Sequence, residues 1–182
     1  MKILTGCLRG KIIQFKPNPH LRPTADKVRK AIFDMLQGQL EGKNVLDLFS
    51  GTGALGIEAL SGGAERATFV EMDARQCGKL KDNLAALELD ERSFVIHLDA
   101  VTAIESFSRQ GEFFDLIFLD PPYEKEWGKR TLEALSSSKV LHEGTFIVLE
   151  CNKREEVEKR LGRLRCVKTK AYGDTKIAVY TI

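Results

Sequence analysis

The sequence predicts an α/β fold with a mostly parallel, seven-stranded sheet and helices on both faces. Short apolar runs alternate with helical patterns from residue 43 onward, and this rhythm is typical of parallel sheets that are covered on both faces. The first apolar run leads into a glycine-rich turn, and the last two runs, 165–172 and 175–181, flank Gly173-Asp174 as in a hairpin. We therefore expect a Rossmann-like sheet that ends in an antiparallel pair.

Each element is predicted from its apolar spacing and its boundaries. The first strand, 44–49, is a short apolar run, and the helix after it, 54–61, repeats apolar residues at helical spacing. Further strands are expected at 66–71, 93–98, 114–119, 144–151, 165–172 and 175–181. Further helices are expected at 74–88, 100–109, 127–138 and 153–161, the last of them rich in charged residues.

The chain before the first strand predicts a small extension, residues 1–23, in front of the main domain of residues 24–182. Two short apolar runs, 2–5 and 11–15, predict a β-hairpin or a loose pair of strands. Prolines then interrupt the chain, and a helix with one apolar face is expected from Thr24 to Gln37, with Thr24 as its cap.

Basic residues are concentrated at the amino terminus. Residues 1–33 hold eight Lys and Arg side chains against one acidic residue, whereas the rest of the chain holds 20 basic and 25 acidic residues. An arm with this imbalance fits a polyanion, and Arg9, Lys11 and Arg22 are the candidate contacts. The alternative is a solvated face, which scattered lysines usually form.

Length and composition allow one well-packed core, since the chain has 182 residues of which 43% are hydrophobic. No apolar run approaches the roughly 18 residues of a membrane span, and the amino terminus lacks the pattern of a secretory signal. The four cysteines form no C-x-x-C pair and keep no metal-ligand spacing with the three histidines. We therefore expect reduced thiols in a cytoplasmic protein, without a bound metal or a membrane partner.

A glycine loop between the first strand and its helix organises the chain. Gly51-Thr-Gly53-Ala-Leu-Gly56 matches the dinucleotide fingerprint, and Glu71 follows Gly51 by 20 residues, which by itself favours NAD. Asp47, just before the loop, favours another ligand, because a carboxylate there repels a pyrophosphate but attracts a cation. S-adenosylmethionine carries an ammonium and a sulfonium, no phosphate, and a ribose diol for Glu71. It is therefore the predicted cofactor.

Acidic residues occur at or near the ends of four predicted strands. They are Asp47, Glu71, Asp99 and Asp120. The carboxyl ends of parallel strands share one edge, and sheets of this kind bind their ligands there. Each of these acids is also suited to cap a helix, and this alternative applies most to Asp99, which precedes a predicted helix that starts at Ala100.

Asp120-Pro121-Pro122-Tyr123 follows the apolar strand 114–119 and is the candidate catalytic stretch. An exocyclic amine of a base is a poor nucleophile because its lone pair is delocalised into the ring. A carboxylate and a main-chain carbonyl that accept the two amine protons favour a pyramidal nitrogen, and the prolines fix the direction of that carbonyl. Tyr123 offers a flat face to a base taken out of its stack. The alternative interpretation is a proline-rich turn that ends a strand.

Five motifs occur together and in a characteristic order: Arg9-Gly10, Leu21-Arg22-Pro23-Thr24, Asp47 to Gly56, Asp120-Pro-Pro-Tyr123 and Tyr172-Gly-Asp-Thr175. As a set they resemble the bacterial class I methyltransferases that use S-adenosylmethionine to modify a guanine N2 of small-subunit (16S) ribosomal RNA. The resemblance covers nearly the whole chain. It implies methylation of this RNA, either free or within an assembling small subunit, with Arg9, Lys11 and Arg22 as RNA-binding residues.

The resemblance also implies a set of site residues. The catalytic residues would be Asp120, Pro121, Pro122 and Tyr123. The cofactor-binding residues would be Thr24, Asp47, Phe49, Ser50, Gly51, Gly53, Glu71, Met72, Asp99 and Ala100. In this family the counterpart of Asp99 contacts the adenine amine, and Thr24 belongs to the element that closes over the methionine end of the cofactor.

Three other functions stay open from the sequence. A DNA adenine-N6 methyltransferase shares both motifs, but this chain leaves little room for a domain that recognises a duplex. A non-catalytic RNA-binding protein on the same fold is disfavoured by the intact Asp120 and Tyr123. A dehydrogenase is disfavoured by Asp47 and by the lack of an obvious hydride-transfer site.

Overall fold

Eight strands form one mixed sheet in the computed structural model, which describes residues 1–14, 26–122 and 127–182. In chain order they are β1 (Asn44–Asp47), β2 (Arg66–Glu71), β3 (Ser93–His97), β4 (Leu116–Leu119), β5 (Phe146–Asn152), β6 (Arg160–Leu161), β7 (Leu164–Tyr172) and β8 (Thr175–Thr181). Their order across the sheet is β3-β2-β1-β4-β5-β8-β7-β6. β1 to β5 are parallel, and the remaining three strands pair antiparallel. The predicted α/β sheet with a closing antiparallel pair is confirmed.

Five α-helices cover this sheet in the described part of the chain. They are α1 (Asp26–Met35), α2 (Ala54–Ser61), α3 (Ala74–Ala86), α4 (Ala100–Gln110) and α5 (Trp127–Ser137). α1, α2 and α3 pack on one face through residues such as Ile32, Leu60 and Leu80. α4 and α5 pack on the other face through Phe107 and Leu135, so apolar burial holds both layers to the sheet. None of the helices described is long and apolar enough to cross a membrane.

The strand order reverses between β1 and β4. Asp47, the last residue of β1, lies opposite Phe69 of β2 on one side and opposite Phe118 of β4 on the other. The Leu48 N–H extends this contact beyond the strand by donating to the Phe118 carbonyl at 3.1 Å. Open α/β sheets bind ligands outside the carboxyl ends of the strands at such a reversal. The fold therefore brings Asp47 and the chain after β4 to the expected binding position.

The carboxyl-terminal region differs from the prediction in two respects. The sheet has eight strands instead of seven, because residues 160–161 form the short strand β6. The prediction of a helix over 153–161 is wrong, since the residues before β6 form turns and bends. The Lys153 N–H donates to the Asp174 carbonyl at 2.8 Å, so the chain after β5 stays attached to the turn between β7 and β8.

A tight turn explains why a strand forms where a helix is expected. Gly162 has a φ of 57°, a left-handed conformation that glycine adopts readily. It reverses the chain so that Leu161 of β6 pairs with Leu164 of β7. A short charged segment has only marginal helical stability by itself, and pairing with the sheet prevails.

The amino-terminal segment, residues 1–14, folds back as a loose antiparallel pair beside α1, α2 and α3. Lys2 forms an isolated bridge with Ile12, and the Ile3 N–H donates to the Lys11 carbonyl at 3.0 Å. Ile3 and Ile13 are fully buried in the same apolar cluster as α1. The predicted loose pair is confirmed as far as residue 14. Arg22 and Thr24 lie outside the described residues.

A buried ion pair joins this segment to the domain. The fully buried carboxylate of Glu58, on α2, accepts the backbone N–H groups of Leu4 and Thr5 at 2.7 and 3.1 Å and the Thr5 hydroxyl at 2.8 Å. Arg29, on α1 and equally buried, donates to the same carboxylate at 3.1 Å. Local sequence patterns do not reveal this pair, because the two residues lie 29 positions apart.

Candidate active site

The glycine loop begins where β1 ends, and Ser50 fixes its start. The Ser50 hydroxyl donates to the Asp47 carbonyl at 2.8 Å, and the Ser50 N–H donates to the Val70 carbonyl at 3.0 Å. Gly53 follows with a φ of 79°, and a β-carbon at this position would lie 2.3 Å from Leu80 Cδ1. Both the backbone conformation and the packing therefore require glycine at position 53.

Asp47 directs its buried carboxylate at the start of α2. Its Oδ2 accepts the Gly56 N–H at 3.2 Å, and its Oδ1 has no hydrogen-bond partner among the described residues. Burial, together with the negative charges of Asp120 and Glu71, raises the pKa of Asp47 from 3.8 to about 7. A buried acceptor without a partner is unfavourable, so a cationic group bound beside Oδ1 would stabilise this arrangement.

Glu71, at the end of β2, holds the loop with its carboxylate. Its Oε2 accepts the Gly51 N–H and its Oε1 accepts the Asp73 N–H, both at 2.8 Å. In dinucleotide-binding loops, backbone N–H groups in this position face a pyrophosphate. Here the Gly51 N–H faces a carboxylate, so the loop is not arranged for an anion.

A cleft opens at this edge of the sheet and is lined by Glu71 but not by the buried Asp47. Six residues predicted from the sequence line it, namely Phe49, Glu71, Met72, Asp99, Ala100 and Pro122. Four further lining residues are absent from the prediction, namely Leu48, Val70, Leu98 and Trp127. Apolar walls with a few polar groups at the edge are typical of small-molecule sites.

The missed lining residues have partial signals in the sequence. Leu48 and Val70 each precede a residue that the sequence analysis identifies, at the ends of β1 and β2. Trp127 is the only tryptophan of the chain and begins α5. Its place in the cleft depends on the packing of α5 against α4, which the local sequence does not specify.

Asp99 has the capping role that the sequence analysis leaves open as an alternative. It is the N-cap of α4, and its Oδ1 accepts the Thr102 N–H at 3.0 Å. Hydrogen bonds from Thr102 lower the pKa of Asp99, so the side chain is ionised at neutral pH. Because Asp99 also lines the cleft, capping and ligand contact are compatible in this residue.

Asp120 directly follows β4, across the reversal in strand order from β2. Its negative charge contributes to the raised pKa of Asp47, so the two carboxylates interact electrostatically. Pro121 is buried, and Pro122 is exposed and lines the cleft. Tyr123 lies outside the described residues, and its contact with a base stays a prediction.

Two of the three predicted RNA-binding cations, Arg9 and Lys11, are described, and both lie away from the cleft. Arg9 and Lys11 are exposed, and the turn that carries them is held at Ser61, whose hydroxyl accepts the Leu8 N–H at 2.9 Å. Ser61 is the last residue of α2, and the glycine loop lies before the first residue of this helix. The helix rises by about 1.5 Å per residue, so its two ends are roughly 10 Å apart along the helix axis.

All four cysteines are free thiols. Burial raises the pKa of Cys151 to about 11, and it raises those of Cys77 and Cys166 as well. These three side chains are therefore protonated at neutral pH and lack the thiolate character of a nucleophile. The described residues also contain no group of three or more His, Cys, Asp or Glu side chains that could hold a metal ion.

Comparison with known proteins supplies independent information. The chain matches the model of a family described as "Conserved hypothetical protein 95" over residues 1–181. It is 36% identical over 180 residues to "Putative rRNA methyltransferase YlbH" of Bacillus subtilis (strain 168), covering 99% of this chain and 98% of that protein. It is 33% identical over 150 residues to "Ribosomal RNA small subunit methyltransferase D" of Escherichia coli (strain K12), covering 82% of this chain and 74% of that protein.

The fold has a close counterpart among solved structures. An Escherichia coli protein described as "Putative methyltransferase yhhF" superimposes with a TM-score of 0.82 at 31% identity, over 100% of this chain and 97% of that chain. The likeness in fold thus covers the whole chain. The chain belongs to the methyltransferase family described as conserved hypothetical protein 95.

Proposed function

We propose that this chain transfers a methyl group from S-adenosylmethionine to the exocyclic N2 amine of a guanine in small-subunit ribosomal RNA. The observation that carries the proposal is the position of Asp120-Pro121-Pro122, directly after β4 and beside a cleft bordered by carboxylates. The names of relatives that are 33–36% identical support ribosomal RNA as the substrate class. This substrate also implies a cytoplasmic location.

The residues at the cleft fit the proposed cofactor. The Oδ1 of Asp47, which has no hydrogen-bond partner among the described residues, is the acceptor proposed for an ammonium group. Glu71 is the acceptor proposed for a ribose diol. Phe49, Met72 and Leu98 provide apolar walls for a flat ring. When bound, S-adenosylmethionine supplies an electrophilic methyl group on a positively charged sulfur. Asp47, Glu71 and Asp120 together provide a negative potential that favours such a ligand.

The same charges disfavour a dinucleotide. The Gly56 N–H, at the start of α2, already donates to Asp47, and the Gly51 N–H already donates to Glu71. A pyrophosphate at this loop would displace two carboxylate contacts and lie close to both negative charges. A dehydrogenase that uses NAD is therefore a weaker interpretation of this site.

Asp120 is proposed as the residue that prepares the guanine amine. Its carboxylate would accept one amine proton in a hydrogen bond, and the carbonyl of Pro121 would accept the other. The nitrogen lone pair is then held out of conjugation with the ring and directed to the cleft. Tyr123 is proposed to stack on the flipped base. The raised pKa values of Cys77, Cys151 and Cys166 support a direct transfer without a cysteine intermediate.

The product nucleoside tests this proposal. Small ribosomal subunits and free 16S RNA from a strain that lacks the protein would be incubated with the protein and methyl-labelled S-adenosylmethionine, then digested for nucleoside mass spectrometry. The proposal predicts label in N2-methylguanosine from at least one of the two substrates. Duplex DNA serves as the parallel substrate, and label in N6-methyladenine would instead identify a DNA enzyme. Binding of RNA without any transfer would contradict the proposal and favour a non-catalytic protein.

A further inference from the structure

A concave surface lies along β7, at the antiparallel end of the sheet. Five cations line it, namely Lys159, Arg160, Arg165, Lys168 and Lys176, together with one carboxylate, Glu156. We refer to it as the β7 basic surface. From the sequence, a charged helix is expected over 153–161 in this region. The fold instead draws the segment before β6 against β7 and gathers the cations around one concavity.

Four of these cations have no ion-pair partner among the residues that the structure describes. Two neighbouring lysines form ion pairs. Lys129 Nζ lies 2.8 Å from Glu158 Oε1, and Lys153 Nζ lies 2.6 Å from Asp174 Oδ1. In the described part of the chain, no carboxylate lies within ion-pair distance of Lys159, Arg160, Arg165 or Lys168. All four are exposed. Clustered cations repel one another, so an anionic partner would stabilise this arrangement.

A β-bulge shapes the surface. Arg165 pairs with Thr181 and Cys166 pairs with Tyr180, but the next residue of β8 pairs with Lys168 instead of Val167. In a regular strand, residues three apart point to opposite faces. The extra residue restores Arg165 and Lys168 to the same face, and Val167 is left 53% exposed. The bulge thereby places on one face of the sheet two cations that a regular strand would place on opposite faces.

Of the two β7 cations that line the surface, Lys168 lies level with Phe118 of β4, whereas Arg165 pairs with Thr181 nearer the amino-terminal ends of the parallel strands. Lys168 pairs with Val179, Val179 pairs with Val148, and Val148 pairs with Phe118 of β4. Three strand spacings of about 4.8 Å separate Lys168 from Phe118, which gives about 14 Å across the sheet. One strand of a duplex places a phosphate about every 3.4 Å, so a few successive phosphates span this distance.

We propose that the β7 basic surface binds the phosphodiester backbone of the substrate RNA and directs it to the cleft, an inference that rests on the proposed function. Its charge, its concave shape and the distance of about 14 Å from Lys168 to Phe118 fit a strand that passes from the sheet edge toward β4. Contacts of this kind position a nucleic acid without recognising its sequence. They therefore contribute to affinity and to its dependence on salt.

The test compares two quadruple variants in binding to a 16S RNA transcript at several salt concentrations. The first replaces Lys159, Arg160, Arg165 and Lys168 by Gln. The matched control replaces four exposed cations on other elements, Arg66, Lys81, Arg109 and Lys139, by Gln. Each phosphate contact contributes about 0.7–0.9 to the slope of log K against log salt. We therefore expect the slope of the first variant to fall by about 3 and its affinity to fall at least tenfold at ~0.1 M salt, with little change in the control.

Further measurements separate this inference from the proposed function. The first variant should keep normal S-adenosylmethionine affinity and normal thermal stability, and its kcat at saturating RNA should stay near that of the unmodified protein while KM rises. A charge-preserving variant, with Lys and Arg exchanged at the same four positions, should restore binding. Equal salt slopes for the first variant and the control, in a protein that methylates guanine normally, would overturn the inference alone. Failure of the unmodified protein to methylate RNA would overturn the proposed function as well.

Discussion

Asp47 Oδ2 accepts the Gly56 N–H at 3.2 Å, so a carboxylate from β1 occupies the amino-terminal end of α2. The first turn of a helix carries free N–H groups and a partial positive charge, which in many α/β proteins bind a phosphate. Here the protein's own carboxylate fills this position, and Glu71 takes the Gly51 N–H. In a loop whose sequence matches the dinucleotide fingerprint, carboxylates thus accept two of the N–H groups that would otherwise face a phosphate.

Cofactor affinity should depend on pH through Asp47. The pKa of this carboxyl is raised to about 7, so below pH 7 it holds a proton that must leave before a cation binds beside it. S-adenosylmethionine affinity is expected to rise by up to tenfold per pH unit from pH 5 to pH 7 and to level off above. Calorimetry near pH 6 in two buffers with different ionisation enthalpies should detect release of up to one proton.

Adenosine is the control ligand for this experiment, because it lacks both the ammonium and the sulfonium. Its affinity should stay constant over the same pH range. Affinity for S-adenosylmethionine that is equally constant, with no proton released, would contradict the proposed role of Asp47.

Asp47→Asn should stabilise the protein without ligand at neutral pH. An unfolded Asp loses its proton near pH 3.8, whereas the folded protein keeps this proton until about pH 7. The folded state binds more protons in this window, so the contribution of Asp47 to stability falls as the pH rises from about 4 to about 7. At pH 8 the buried carboxylate of Asp47 lowers the free energy of unfolding by on the order of 4 kcal/mol. The Asn variant can regain at most this amount of stability.

Thermal unfolding of both proteins at pH 4 and pH 8 measures this effect. The Tm of the variant should exceed that of the unmodified protein at pH 8 and match it closely at pH 4, while S-adenosylmethionine binding is strongly weakened. A variant less stable at pH 8 than the unmodified protein would show that the buried carboxylate is already compensated.

Glu71→Ala should weaken S-adenosylmethionine binding by roughly 1.5–3 kcal/mol, the range of hydrogen bonds to a charged group. The reason is the loss of the proposed ribose acceptor and of the contact that holds the Gly51 N–H. Glu65→Ala removes an exposed carboxylate near the start of β2 and serves as the control, with unchanged binding expected. Calorimetry with NAD should give no binding to any of the three proteins, and tight NAD binding would refute the cofactor assignment.

The buried ion pair of Arg29 and Glu58 should stabilise the fold only when both charges are present. Arg29→Met leaves the Glu58 carboxylate buried without its cation, and breaking such a pair typically costs about 3–5 kcal/mol. The double variant with Glu58→Gln should be less destabilised than the sum of the two single variants, because it leaves no unpaired charge. Urea unfolding of the four proteins measures this coupling. Strictly additive losses would mean that the two charges do not stabilise one another.

The elements around the glycine loop are predictable because their signals are local. A short apolar run, glycines without side chains and an acidic residue at each strand end suffice to predict β1, α2 and the edge where Asp47, Glu71 and Asp120 meet. The cleft itself is only partly predictable. Trp127 and Leu98 reach it from elements distant in the chain, and only the packed sheet brings them together.

Two features depend on partners that local patterns do not reveal. The charged segment 153–161 has a composition typical of a helix, but the turn at Gly162 and the open edge of β7 recruit its end into the sheet. Glu58 lies within an apolar helix. Its role is visible only in the fold, where Arg29 and the amino-terminal backbone donate hydrogen bonds to its carboxylate. In both cases tertiary pairing prevails over local propensity.

The role of Asp120 can be tested by replacing it. Asp120→Asn keeps one acceptor oxygen but loses the charge that stabilises the positive nitrogen formed during transfer, and Asp120→Ala loses both. Removing one preorganised electrostatic contact costs about 2.7–4 kcal/mol in other enzymes, or a factor of about 10²–10³ in rate. Asp82→Asn, an exposed carboxylate on α3, is the matched control.

The most direct test is the single-turnover rate of methyl transfer to guanine N2, measured for these variants at pH 8 with S-adenosylmethionine saturating. We expect a rate reduced by about 10²–10³ for Asp120→Asn and further for Asp120→Ala. Cofactor affinity should stay near normal in both variants, and Asp82→Asn should have a normal rate. A near-normal rate for Asp120→Ala, or loss of transfer when any single cysteine is replaced in a folded protein, would rule out the proposed role of Asp120.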